Sequence, residues 1–311
     1  MNANAYLDNE IIVHDGNAHL FKEDVKVDGK PKSRGLIPRD YSRHPVGSIP
    51  GIKAVDFPLI PQSEWAGRID EQEKARSRNS DIRLIGNNGK PIPSTDQNGV
   101  GFCWNHSVTS AVMVVRALMG LPYVELSAFA IGCMIKNYRD EGGWGAQAAE
   151  FAIKNGIPSS KFWPIKSMNR SNDNPQTWAD ATNHKCGEVF MDVQAAVYDR
   201  NLAWAQYVTG FINNMVGVND FSDWSHSVCG LDAVNGASKF GRCRAESGKL
   251  LTLEEHDLIW AMNDPVLAGV GNRHWNSWTD SYGNLGMGIR TGRQAIPDGG
   301  LLLRTSTPSL N

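Results

Sequence analysis

The sequence carries no CxxC pair, and its five cysteines (Cys103, Cys133, Cys186, Cys229 and Cys243) are scattered and odd in number. That spacing excludes the common zinc modules and argues against a disulfide framework, so reduced thiols are expected. The chain also lacks any apolar run approaching the roughly 18 residues that a membrane-crossing helix needs. Its first residues, MNANAYLDNEIIVHDG, have no basic start followed by an apolar stretch, so no secretory leader is legible there. An excess of charge of one sign is missing too: the formal net charge is -2 and the charged runs are short and mixed. Nucleic acid and anionic membranes are therefore not expected as partners. Together these absences favour a cytoplasmic or particle-associated protein, such as one of a virion, over a secreted one, and give no reason to expect a cofactor or metal.

What is present is ordinary globular material. Across 311 residues, 41% are hydrophobic and 21% charged, enough to bury a sizeable core. Residues 1–60 read differently from the rest. They are rich in Gly, Pro, Lys and Asp, with only short apolar pieces at Glu10–His14 and Ala18–Phe21. An extended arm or a small strand-and-loop extension is expected there, with no helix of useful length. Residues 61–311 form the expected main domain.

In that domain the first helix is expected near Cys103. Val108, Ala111, Val112, Val115, Leu118 and Met119 recur on one helical face, and Gly120 and Pro122 stop the run. Further helices fit Leu126–Tyr138 and Ala146–Lys154. The second half changes texture: Glu188–Val193, Met215–Asn219, Ser227–Val234, Val266–Val270, Gly286–Arg290 and Leu301–Arg304 are short, apolar or alternating, and bounded by turn formers. One more helix fits Leu253–Met262, inside an insertion at about 235–270. A helical half (about 95–165) and a strand-rich half (about 185–305) imply an α+β fold with a cleft between two subdomains.

Chemistry concentrates in Asp96–Ser107, DQNGVGFCWNHS, where a Gly-containing loop runs into the long helix with Cys103 at the junction. A thiol at a helix N-terminus feels the positive end of the dipole, which favours the thiolate that cysteine hydrolases use. Gln97, six residues upstream, could turn its amide toward the same place, where a tetrahedral intermediate needs donors for its oxyanion.

These residues resemble the papain family of cysteine proteases. Gln97, Cys103 and Trp104 are similar to that family's active-site signature. Leu126-Ser127, then Gly142-Gly143-Trp144, Asn155-Gly156-Ile157 and Trp163-Pro164 follow in its order. Trp224-Ser225-His226-Ser227-Val228 looks like its base-bearing strand, and Asn276-Ser277-Trp278 with Gly283 through Ile289 like its Asn-Ser-Trp and the Gly-rich strand after it. The resemblance covers about residues 85–295. It implies a papain-like fold, with a helical subdomain and an antiparallel, barrel-like subdomain, and it implies roles. Cys103 is the nucleophile, His226 the base and later acid, Asn276 the residue that orients the imidazole, and Gln97 an oxyanion donor. Gly142 and Gly143 offer backbone to an extended peptide substrate, and Trp278 shields the His–Asn bond. Without the resemblance, Gly142-Gly143 reads equally as a tight turn, and His106, His184, His256 and His274 as ordinary.

The departures are informative. Val100 and Glu141 stand where secreted relatives carry disulfide cysteines, the stretch between His226 and Asn276 is long, and residues 1–60 lack a long helical prosegment. Autoinhibition by a helical prosegment is not expected. The leading expectation is a cysteine peptidase acting on peptide or protein substrates. The alternative is a structural or assembly protein, for example of a bacterial virus particle, whose residues 1–60 dock on neighbouring subunits. A related acyl transfer on the same Cys–His pair is a third possibility.

Overall fold

The computed structural model describes residues 11–13, 18, 26–27, 30–185, 189–235, 243–245, 250–251 and 270–305. Seven α-helices lie within them: α1 Gln62–Ala75, α2 Asn79–Ile85, α3 Cys103–Leu118, α4 Ala128–Lys136, α5 Gly145–Asn155, α6 Pro175–Asn183 and α7 Arg200–Ile212. The strands are β1 Ile11–Val13, β2 Lys26–Val27, β3 Lys30–Pro31, β4 Lys53–Ala54, β5 Val189–Asp192, β6 Val216–Phe221, β7 His226–Asn235, β8 Cys243–Ala245, β9 Leu250–Leu251, β10 Val270–Trp275, β11 Met287–Arg290 and β12 Gly299–Arg304.

The central helix α3 forms where the one-face periodicity places it, and it runs one turn further back, to Cys103 itself. Every residue from Cys103 to Val115 is buried. A helix covered on all sides at its start is one held between layers, and α3 lies against α4 and α5 on one side and β6 and β7 on the other. Its last turn is released by Gly120, whose φ of 68° closes the turn before Pro122. Val108, Ala111, Val112 and Val115 join Val216, Val218, Leu231, Leu301 and Leu303 of the sheet in the largest apolar cluster.

The sheet has ten strands in the order β4-β5-β12-β6-β7-β10-β11-β1-β8-β9. Among the described residues it is an open row with two edges, not the barrel-like closure expected from the sequence. The central strands pair antiparallel, whereas β4 on β5 and β1 on both β11 and β8 pair parallel. Those parallel strands come from residues 1–60. Two short strands from that region, β1 and β4, thus add to the sheet.

Four helices went unread in the sequence. The first helix is not at Cys103, because α1 and α2 precede it. The buried face of α1 rests on Trp65 and Ile69 alone, too few apolar positions to declare a period. α2 is seven residues long and buries Asn79, Ser80 and Arg83, so its inward face is polar. α6 begins with Asn174, whose side chain accepts from the Gln176 and Thr177 N–H groups, followed by Pro175. α7 is capped by Asp199, which accepts from Leu202 N–H, and buries Gln206 and Thr209 among its apolar residues. The helix expected at Leu253–Met262 and most of the strand expected at Val266–Val270 lie outside the described residues. Among the described residues, no helix is long and apolar enough to cross a membrane.

Candidate active site

Residues 96–102 bend before α3. Asn98 and Gly99 take positive φ, and Asp140 accepts from the Gly101 N–H at 2.7 Å, fixing the last step into the helix. Phe102 at the N-cap makes no side-chain cap bond. Cys103 then opens α3 as the first helical residue, its side chain fully buried.

On the facing subdomain, His226 begins β7. The β6–β7 pairing sets Phe221 opposite His226, and β10 pairs along β7 up to Trp275 opposite Cys229. Asn276 leaves the end of β10 beside the histidine. His226 Nε2 lies 2.8 Å from Asn276 Oδ1. The Trp278 indole stacks on the imidazole with ring centroids 4.5 Å apart and planes 28° apart. Buried Trp278 therefore covers the His–Asn bond from water. The other ring nitrogen, Nδ1, is buried with no partner among the described residues. A buried imidazole held through one nitrogen keeps the other free to exchange a proton. The N–H of Ser227, next to His226, faces the Cys103 sulfur. The long stretch between His226 and Asn276 does not separate them.

Similar proteins bear on this arrangement. No family model matches the chain. Zingipain-1 of Zingiber officinale is 30% identical over 87 residues, which are 27% of this chain and 39% of the plant protein. Zingipain-2 of the same plant is 30% identical over 83 residues, 26% and 38% of the two chains. The chain thus spans well under half the length of the curated relatives it matches. The crystal structure of xylellain, a cysteine protease from Xylella fastidiosa, aligns over 88% of this chain and 96% of that one, with a TM-score of 0.51 at 14% identity. The fold is papain-like.

In this papain-like fold the cleft is occupied by the chain's own arm. Gly143 N–H donates to the Gly35 carbonyl, Ile37 N–H donates to the Gly143 carbonyl, both at 2.9 Å, and Leu36 pairs with Gly143 as a parallel bridge. Leu36 N–H donates to the Ser225 carbonyl at 3.1 Å. Gly143 thus pairs through its backbone with residues 35–37, with Gly142 closely approached beside it. The fit is close: a Cβ on Gly35 would fall 1.9 Å from the Gly101 carbonyl oxygen, and one on Gly142 would fall 2.5 Å from that of Gly35.

The Gln97 amide, expected as an oxyanion donor, is engaged elsewhere. Its Nε2 donates to the Ser33 carbonyl at 2.7 Å and to the Val100 carbonyl at 2.8 Å, while its Oε1 accepts from Ser277 Oγ at 2.8 Å. The Trp278 indole N–H also donates to the Ser33 carbonyl, at 3.3 Å. An arm carbonyl thus takes the donor that was assigned to the oxyanion.

The electrostatics follow from the cover. Burial pushes the Cys103 thiol up to about 12, against the lowering effect of the Ser227, Gly35 and Trp104 N–H groups. Burial likewise pushes His226 down to about 3, although the Asn276 bond raises it. Both shifts run against the thiolate–imidazolium pair expected from the sequence while the arm covers the site. Desolvation, the largest cause for each, favours the neutral thiol and the neutral imidazole.

Several neighbours had no role assigned from the sequence, although Trp224 and Ser227 lie in the quoted segment around His226. Trp224 meets the His226 ring edge-on, with centroids 4.8 Å apart. The Arg290 guanidinium lies over the Trp224 and Phe221 rings and bonds Asp223 at 3.1 Å. Asp220 and Ser227 sit directly beside the histidine on β6 and β7. Cys133 and Cys229 are free and buried, Cys243 lies in β8, and Cys186 is outside the described residues.

Proposed function

We propose that this chain is a latent cysteine peptidase, with Cys103 as nucleophile, His226 as base and acid, Asn276 as the orienting amide and Gln97 as oxyanion donor. The observation that carries the reading is the 2.8 Å bond from His226 Nε2 to Asn276 Oδ1 beneath Trp278, with Nδ1 left unpartnered on the same ring. A peptide substrate is favoured by the backbone rung at Gly143, which pairs with an extended chain.

The reaction needs the arm to leave. Water and substrate then replace it, desolvation of Cys103 and His226 falls, and the thiol proton passes to His226 Nδ1. The sulfur forms a bond to the scissile carbonyl carbon, and the oxyanion takes up the Gln97 amide and the Cys103 N–H. Collapse of the intermediate breaks the C–N bond while His226 returns its proton to the leaving amine. Water, deprotonated by His226, then cleaves the thioester and restores the thiol. The arm itself resists this chemistry: it presents the Gly35 N–H to the sulfur, and an amide N–H is no electrophile.

The assembly alternative has no support among the similar proteins, and arm residues 35–37 dock on their own domain.

The test is labelling by an epoxide-type cysteine-protease inhibitor, mapped by mass spectrometry. A Gly35→Val substitution clashes with the Gly101 carbonyl and should lift the arm. We expect Cys103 to be labelled faster in Gly35→Val than in the wild-type chain, and the labelling to vanish in the Gly35→Val/His226→Ala double variant. Labelling of Cys103 no faster than that of Cys133 and Cys229 in Gly35→Val would overturn the reading.

A further inference from the structure

Asp220 is a buried carboxylate that the reaction above does not use. It lies on β6 opposite Ser227 of β7, one residue from the pair Phe221–His226. Its Oδ1 accepts from Ser227 Oγ at 2.6 Å, and its Oδ2 accepts from the Gly145 N–H at 3.1 Å. Ser227 Oγ in turn lies 2.8 Å from Ser107 Oγ, which also lies 3.0 Å from the Trp104 carbonyl.

Each contact reaches a different part of the site. Ser227 follows His226, and its own N–H faces the Cys103 sulfur. Ser107 is one turn along α3 from Cys103. Gly145 opens α5 directly after Gly142-Gly143-Trp144, the segment that pairs with an extended chain. One carboxylate thus joins the nucleophile's helix, the base's strand and the peptide-pairing segment. The helix–sheet layers are otherwise held there by non-directional apolar packing, which sets no hydrogen-bond geometry.

We propose that Asp220 is a positioning residue for the peptidase reaction: its ionised carboxylate fixes Ser227, Ser107 and Gly145, and through them the spacing of Cys103, His226 and Gly143. The inference rests on the peptidase reading given above. While Asp220 is ionised, Ser227 donates to it and Ser107 donates to the Trp104 carbonyl, so the 2.8 Å contact between the two hydroxyls must share one of those protons. When Asp220 is protonated it becomes a donor, and the order of donors along the chain can reverse.

Burial pushes the carboxyl up to about 6, against the lowering effect of the Ser227 hydroxyl, the Gly145 N–H and the Arg39 guanidinium. The other groups facing it are Tyr41 from the arm, Cys103 from α3, Tyr207 from α7 and Asp298 ahead of β12. Arg39 is itself committed to Asp192 by a two-pronged pair, so it offers Asp220 only distant compensation.

The experiment uses the full-length Gly35→Val chain. It measures hydrolysis of a casein-derived peptide pool and the rate of iodoacetamide modification of Cys103 from pH 4.5 to 8, alongside thermal unfolding. We expect an acid limb near pH 6 in both rates. In the Asp220→Asn variant that limb disappears, and kcat at pH 7 falls by about 10²-fold, the size of loss expected from a small misplacement of reacting groups. KM should change far less. Should Asp220→Asn not fold, Ser227→Ala decides the matter. It removes a donor that lowers the carboxyl, so the limb must move to higher pH. A limb unchanged in either variant, or a loss confined to melting temperature, overturns the proposal. Cys103 modification no faster than that of the other cysteines at every pH in the parent chain overturns the peptidase reading itself, and the positioning role falls with it.

Discussion

At His226 the two ring nitrogens have different fates. Nε2 is spent on Asn276, and Nδ1 is kept dry and free. Asn276→Ala should therefore leave the ring present but unaimed. In the arm-lifted background we expect kcat to fall by about 10²-fold or more, within the range that positioned acid–base groups contribute, with little change in melting temperature. Kinetics with a fluorogenic peptide would check it, and a wild-type kcat would remove Asn276 from the mechanism. Cys103, His226, Asn276, Gln97 and Trp278 were legible because their residue types are scarce and their neighbours distinctive. Asp220 was not. A single aspartate in an apolar strand carries no pattern, and its reach to Gly145, 75 positions away, lies in no local window.

Among the elements, those with a clean period or a run of apolar residues were legible: α3, α4 and α5, and the strands β5, β6, β7, β11 and β12. Helices α1, α2, α6 and α7 were not, because their buried faces are narrow or carry polar residues such as Asn79, Arg83 and Gln206. The way the arm joins the sheet was equally hidden. β1 and β4 are strands of two or three residues whose partners lie more than a hundred positions away. The arm is anchored by Arg39, whose guanidinium grips Asp192 of β5 at 2.8 and 2.9 Å, both side chains buried, with the Gly47 N–H on the same carboxylate. Arg39→Ala strands a buried carboxylate, and we expect a loss of about 3–5 kcal/mol of stability. Urea unfolding would measure it; a loss under about 1 kcal/mol would mean that water reaches Asp192 as readily as arginine does. At the smaller scale of a helix end, Asn174→Ala should cost about 1 kcal/mol by removing the cap of α6.

For the whole molecule, burial makes acid an enemy. His106 and His226 are both pushed down to about 3 from an ordinary 6.5, and His274 is pushed well below it. The unfolded chain binds protons at these imidazoles below 6.5 while the folded one refuses them. Stability is therefore complete above about 6.5 and declines as pH falls toward 3. Asp220 opposes this over a narrower window. Its folded value, about 6, lies above the ordinary 3.8, so the folded chain gains from acidification between those values. Several histidines outweigh one carboxyl, and we expect the melting temperature to drop between pH 7 and pH 5. A scan of thermal unfolding against pH would show it, and a flat profile would mean that these imidazoles are hydrated.

The seat of residues 35–37 against Gly143 has one more consequence. Because the occupant of the cleft is covalently joined to the body it covers, its local concentration is fixed by the tether and is of millimolar order for a short flexible connection. Dilution cannot release it, so the silent fraction of molecules should be the same in a nanomolar and a micromolar solution. What can release it is a competitor in excess. Such a protein would follow an ordinary saturation curve whose midpoint is raised by the ratio of covered to open molecules, whatever the protein concentration.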